Sequence, residues 1–268
     1  MNSHAKRWIT GVIAVPILFV VILYGPPLLF SAVIAFFVVG GAVEYNSMVF
    51  KEKYYWEKTE GLVIAFLIPL AAYLGGVQLM FATVTFSFII VFLLFLMRMK
   101  NGPADFTSLA KVVFGFMYAP LLISYVIPLR SSDHGITWVF FVIIAAFVGD
   151  SSAFYAGRSM GKTKLMPMVS GGKTVAGAIG SIVGTMVGCV VFKLMFFHDL
   201  PVIHAVILGF LVSIVGQLGD LCESSLKRIS MVKDSGYILP GHGGILDRVD
   251  SLTFMIPFVY YYSVLVVR

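Results

Sequence analysis

Long apolar runs, separated only by short polar breaks, follow one another along almost the whole chain, and no other feature limits the possible folds as much. A helix crossing a bilayer needs about 20 mostly apolar residues. Runs of this kind lie at about 8–24, 28–44, 61–77, 79–97, 112–129, 136–157, 175–197, 202–222 and 249–267. Hydrophobic residues make up 59% of the chain and charged residues 12%. A soluble domain carries roughly 45–50% and about 25%. In water, the exterior of such a fold would itself have to be apolar. The expected fold is therefore an all-α, polytopic integral membrane helical bundle of about nine transmembrane helices. It is read as a single membrane-embedded domain over 1–268.

The polar start, Met1 to Arg7, leads straight into the first apolar run and is read as a retained anchor rather than a cleaved leader. Gly25-Pro26-Pro27 marks a tight turn after that run.

Lysine and arginine favour cytoplasmic loops near span ends. With nine spans and a cytoplasmic N-terminus, the inside segments hold Lys6, Arg7, Lys51, Lys53, Lys58, Arg98, Lys100, Lys111, Arg158, Lys162, Lys164, Lys173, Lys227, Arg228, Lys233 and Arg248. That is 16 of the 19 basic residues, which leaves Arg130, Lys193 and Arg268 outside. The +6 net charge is thus read as a topology signal facing a lipid bilayer, not as a nucleic-acid surface. The long polar loops 45–60, 98–111, 158–174 and 223–248 all fall inside, so the working face is expected to be cytoplasmic.

Gly180, Gly184 and Gly188 form a small-residue stripe that predicts close helix packing. Cys189 and Cys222 lie in apolar stretches and are read as buried, unreactive thiols.

A carboxylate within a membrane segment is costly and tends to mark function. Glu44, Asp150, Asp220, Glu223, Asp247 and Asp250 all fall at the cytoplasmic ends of expected spans. Each could simply end its helix in headgroup water beside a base, as Glu223 could with Lys227. Together they could instead hold a divalent cation, since Mg²⁺ takes one or two carboxylates and completes its shell with substrate phosphates. From Ser224 onward, Lys227, Arg228, Lys233, His242 and Arg248 add groups suited to several phosphates. Gly241, Gly243 and Gly244 flank His242, and their N–H groups could form an anion nest. His242 lacks His or Cys companions at ligand spacing, so it is read as a phosphate donor or a satisfied loop histidine.

The run S-x-L-K-R-x4-K-D-x-G-x2-L-P-x-H-G-G-x2-D-R-x-D, from Ser224 to Asp250, resembles the signature of phosphatidate cytidylyltransferases (CDP-diacylglycerol synthases) at every fixed position. Gly149-Asp150-Ser151 through Gly157-Arg158, and Gly219-Asp220 before Glu223, extend the likeness, whereas the first 130 residues match only in pattern. The resemblance implies that phosphatidic acid and CTP give CDP-diacylglycerol and pyrophosphate in the cell membrane. It also implies a catalytic half from about 130 to 268. Asp220 and Asp247 would coordinate Mg²⁺, with a second cation nearby, and Lys227, Arg228, Lys233 and Arg248 would act on the phosphates. Asp150, Ser224, His242, Gly243 and Gly244 are expected to meet substrate, and a homodimer is implied.

A second loop, Ser170-Gly171-Gly172-Lys173-Thr174-Val175-Ala176-Gly177, resembles the family's S-P-x-K-T-x-E-G. Ser170, Lys173 and Thr174 are kept as substrate-binding candidates. Gly171 replaces the proline and Ala176 the glutamate, so the acidic role there is in doubt. Pro167 stands where a P-loop needs glycine, which rejects that motif.

Three other functions compete. A CTP-dependent polyprenol or phytol kinase would share the metal logic but accept an alcohol. A transporter would place its ionisable groups near the midplane, often in inverted repeats. A CDP-alcohol headgroup transferase would need a DG…AR…G…D…D pattern that the chain lacks.

Overall fold

The computed structural model describes residues 15–50, 54–100, 105–238 and 243–267. The first half of the expected run 8–24, together with Gly241 and His242, lies outside these. Among the described residues, seven helices are long and apolar enough to cross a membrane. They are Pro27–Val49, Tyr55–Met99, Phe106–Arg130, Gly135–Met160, Val175–Phe196, Val202–Ile229 and Leu246–Val267, with a shorter apolar helix at Val15–Tyr24. This is a multi-pass membrane protein, nearly all helical. The exception is a two-stranded antiparallel hairpin, Lys164–Met166 with Ser170–Thr174, inside the expected loop 158–174.

The expected runs 61–77 and 79–97 fall in one 45-residue helical segment, Tyr55–Met99. A straight helix of that length would measure about 68 Å, against a hydrocarbon core of about 30 Å. The segment is broken at Gly75 (φ −148°, ψ 22°) and Gly76 (φ 61°, ψ −153°). Gly76 adopts the left-handed region that glycine tolerates best. Arg98, near the segment's end, donates from Nη1 to Glu57 Oε1 at 3.0 Å and also bonds Glu60. Residues 57 and 98 can meet only if the segment doubles back, so it is a helical hairpin clasped at its open end.

Two other helices run past their apolar stretches. Val202–Ile229 continues through Ser224–Arg228, with Lys227 and Arg228 in its last turn, where cations complement the helix dipole. The last helix starts at Leu246 rather than 249, which puts Asp247 in its first turn. The loop expected over 223–248 is correspondingly shorter.

Contacts gather the chain into two compact units, residues 1–131 with 232–248 and residues 132–231 with 249–268. The signature segment is thereby divided: Lys233, Gly243, Gly244, Asp247 and Arg248 belong to the first unit.

In the first unit, Phe106–Arg130 is 67% buried over its most apolar window, against 28% for Tyr55–Met99 and 39% for Pro27–Val49. It is the central helix there, and it turns as a π-helix through Met117–Leu121 around Pro120. Basic residues close helix ends in this unit. Arg130 donates to the carbonyls of Ile22 (3.1 Å) and Gly25 (2.6 Å) and lies over the Phe30 ring. Lys111 donates to Val49 O at 2.9 Å.

In the second unit, Gly135–Met160, Val175–Phe196 and Val202–Ile229 pack together. The glycine stripe does what its spacing predicts. A Cβ at Gly180 would fall on Ala156 Cβ, one at Gly184 on the Ser152 side chain, and one at Gly188 would lie 3.0 Å from Val148 Cγ1. Cys189 is buried as expected, but Cys222 is exposed on its helix, which corrects the reading of two buried thiols.

Candidate functional site

A cavity of about 570 Å³ opens within the second unit. Its walls come from the three packed helices, the β-hairpin, and Ser251 and Met255 of the last helix. Asp150, Arg158, Ser170, Lys173, Thr174 and Asp220 all line it. The apolar helix bodies form a low-dielectric wall, and the polar groups gather where the hairpin crosses the helix ends.

Glycines set the depth of the acids. A Cβ at Gly219 would lie 2.6 Å from the backbone oxygen of Asp250, so Val202–Ile229 approaches the last helix closely just before Asp220. A Cβ at Gly149 would lie 2.8 Å from Thr185 Oγ1 and 3.1 Å from Ser181 Oγ, so the helix carrying Asp150 packs there on the hydroxyls of its neighbour. Each Gly-Asp dipeptide is thus a close helix contact followed by a carboxylate, against backbone at Gly219 and against side-chain hydroxyls at Gly149. Asp150, Asp220 and Asp250 come within electrostatic reach of one another and of Lys173.

Lys173, on the second strand of the hairpin, places Nζ 2.6 Å from Asp220 Oδ2. Both side chains are partly exposed, at 24% and 30%, while the Lys173 nitrogen itself is buried against the carboxylate. Ser224 Oγ, one turn along the helix, donates to Asp220 Oδ1 at 3.4 Å. Thr174 caps Val175–Phe196, its Oγ1 accepting from Gly177 N at 3.1 Å. Its hydroxyl therefore holds the helix start as well as facing the cavity. Gly171 and Gly172 have open space where a side chain would go.

Other candidates are already engaged in local structure. Lys227 pairs with the fully buried Glu223 at 2.6 Å, as the local reading of that pair has it. Arg228 Nε donates to Val169 O at 3.1 Å and so ties the helix end to the turn of the β-hairpin. Its guanidinium carries further donors.

In the first unit, Asp247 Oδ2 accepts from Ser235 N at 3.0 Å and from Gly244 N at 2.9 Å. Gly244 thus gives its N–H to the loop's own carboxylate, and a Cβ there would fall on Ser235 Oγ. Gly243 adopts φ 82°, and Lys233 and Arg248 are exposed.

Three residues escaped the reading of the sequence as site components. Arg158 and Gln217 line the cavity. In the sequence Arg158 reads only as an inside basic residue and part of the Gly157-Arg158 family element, and a single glutamine in an apolar run gives no signal. Glu44 was counted among the helix-end acids but is buried, with 2% exposure.

Among the described residues, no three His, Cys, Asp or Glu side chains form a ready-made metal-binding group. Mg²⁺ does not require one, because it binds through one or two carboxylates and keeps waters and phosphates. Asp150 and Asp220 line the cavity with Asp250 in electrostatic reach, and their hard oxygen donors fit that ion.

The match to known proteins spans the chain. The model of the cytidylyltransferase family covers residues 5–266. The chain belongs to the cytidylyltransferase family. A phosphatidate cytidylyltransferase of Staphylococcus saprophyticus is 32% identical over 94% of this chain and 95% of its own length. One from Bacillus subtilis is 40% identical over 65% of this chain, an alignment spanning 64% of that protein, just under two thirds. One from Staphylococcus aureus is 37% identical over 57% of this chain and 62% of its own length. Family membership gives the cavity of this cytidylyltransferase a chemical context: a basic side chain and carboxylates, side by side, suit a nucleotide's phosphates.

Proposed function

We propose that this chain is a phosphatidate cytidylyltransferase, converting phosphatidic acid and CTP to CDP-diacylglycerol and pyrophosphate. The observation that carries this reading is the pairing of Lys173 with Asp220 in the wall of a cavity in an apolar bundle. It gains weight from the full signature between Ser224 and Asp250 and from the names of the relatives.

In the reaction, a phosphate oxygen of the lipid attacks the α-phosphorus of CTP. The bond from that phosphorus to the bridging oxygen breaks, and pyrophosphate leaves with the electron pair. No side-chain nucleophile is needed, so positioning and electrostatics supply the rate. Lys173 and Arg158 offer cationic donors to phosphate oxygens, Ser170 offers a hydroxyl, and the apolar walls exclude water. Lys227, Arg228, Lys233, Arg248 and His242 are assigned to the same phosphates on the family pattern. Mg²⁺ is the proposed cofactor, with Asp220 and Asp247 as its protein ligands and a second cation nearby. When bound, it supplies charge neutralisation at the phosphates.

The reading includes nine membrane crossings, counting the Val15–Tyr24 region and both arms of the clasped hairpin. It places the N-terminus and the site on the cytoplasmic side of the cell membrane, supported by the 16-to-3 split of basic residues. The family resemblance supports a homodimer.

The test is purified protein in detergent with phosphatidic acid, Mg²⁺ and CTP labelled at either the α- or the γ-phosphate. Label from the α-phosphate in the lipid, with pyrophosphate released, is the expected result. Label only from the γ-phosphate would make the chain a kinase. Asp220→Asn and Asp247→Asn should each lose at least about 100-fold in activity, the upper end of the range for groups that merely support a metal ligand.

A further inference from the structure

Glu44 lies near the end of Pro27–Val49 and is 2% exposed. Leaving a charge this deep is costly unless it is fully hydrogen-bonded. Among the described residues, none of its hydrogen bonds goes to a basic side chain. Oε1 accepts from Ile245 N at 2.8 Å, and Oε2 accepts from Leu246 N at 3.0 Å and from Ser235 Oγ at 3.1 Å. Ile245 and Leu246 open the last helix, so two N–H groups that lack partners within the helix are met by a carboxylate from another helix. The positive end of the helix dipole adds to the attraction.

The arrangement continues to Asp247. Ser235 Oγ, while donating to Glu44, accepts from Asp247 N at 3.3 Å. Ser235 N and Gly244 N donate to Asp247 Oδ2. The packing leaves no slack: a Cβ at Gly236 would stand 2.6 Å from Glu44 Cγ, and one at Gly244 would stand 2.6 Å from Glu44 Oε2. Two glycines of the signature are therefore small because Glu44 fills the space beside them.

We infer that Glu44 is a positioning residue for the reaction, its buried carboxylate capping the last helix and, with Ser235 and Gly244, fixing the carboxylate of Asp247. The inference rests on the proposed assignment of Asp247 to the metal. It ties a residue in the half of the chain without recognisable motifs to the centre of the signature. A glutamine cannot replace this glutamate, because its NH₂ would face an N–H donor and at least one of the three bonds would be lost.

The experiment compares Glu44→Gln and Asp247→Asn with the parent chain in detergent. Binding of Mn²⁺ alone is followed by loss of the free-ion EPR signal, alongside Tm and the Mg²⁺ concentration giving half-maximal activity. Glu44→Gln should bind Mn²⁺ about 10–100-fold more weakly, the usual cost of removing a group that orients a ligand. Its Mg²⁺ requirement should rise in parallel. Parental Mn²⁺ affinity in Glu44→Gln, with a loss in Asp247→Asn, overturns the role of Glu44 even if Tm falls. Parental affinity in both variants overturns the assignment of Asp247 and the inference with it. Should Glu44→Gln fail to yield folded protein, Ser235→Ala removes the shared hydroxyl and should show the same loss, and parental affinity there overturns the proposal.

Discussion

Lys173 and Asp220 meet in the wall of the cavity, Nζ 2.6 Å from Oδ2, one on a β-strand and the other on a helix. The pair joins the hairpin to the helix that carries the signature's first residues. The ammonium holds one oxygen of the Asp220 carboxylate, and the Ser224 hydroxyl donates to the other at 3.4 Å.

Lys173→Met should therefore weaken CTP use with little effect on folding. A hydrogen bond to a charged group contributes about 1.5–3 kcal/mol, or roughly 10–150-fold. A fall of that size in kcat/KM for CTP is expected, with Lys173→Arg recovering part of it. Steady-state kinetics on both variants check this.

Arg98 clasps the helical hairpin by bonding Glu57 and Glu60. Arg98→Ala would leave two half-buried carboxylates side by side. A loss of about 1–3 kcal/mol is expected, the cost of stranding such groups. It should appear as a lower Tm in detergent. Glu57→Gln combined with Arg98→Ala should recover part of it.

Gly184 packs where any side chain would overlap Ser152. Gly184→Val forces Val175–Phe196 away from Gly135–Met160 at a cost of about 1–3 kcal/mol, typical of overpacking. Activity should fall together with Tm, because both helices wall the cavity. Gly171→Ala, at an open position, should change neither measurement.

Asp105 gives a pH-dependent contribution. The Tyr54 hydroxyl, at 2.8 Å, and then the side chain and backbone of Thr107 hold its carboxyl below the ordinary 3.8. A carboxyl lowered in the folded state adds stability above its unfolded pKa and loses it as pH falls through the folded one. The Tm gap between the parent and Asp105→Asn should be full near neutrality and close as pH drops below 3.8.

Helix positions were legible in the residues because they follow from local pattern. Apolar runs set the spans, and Gly180, Gly184 and Gly188 announced a packing seam through their spacing. Helix ends were less legible, since Ser224–Arg228 is polar yet stays helical by continuing the turn below it. The β-hairpin was hidden because Ser170–Thr174 holds two glycines and no apolar alternation. Glu44 was seen as an acid but not as a cap, because its partners Ser235, Ile245 and Leu246 lie some 200 residues further along, and nothing local points to them. Cys222 sits in an apolar stretch, but the face it occupies depends on the neighbouring helices.

Gly219 lies against the main chain of the last helix and Gly149 against the hydroxyls of Thr185 and Ser181, each directly before an aspartate. The location of those two carboxylates thus depends on how closely the helices approach at a glycine rather than on the size of any larger side chain. In a saturation mutagenesis experiment, the outward faces of the same helices should accept almost any apolar residue, while Gly219, against fixed backbone, rejects even alanine.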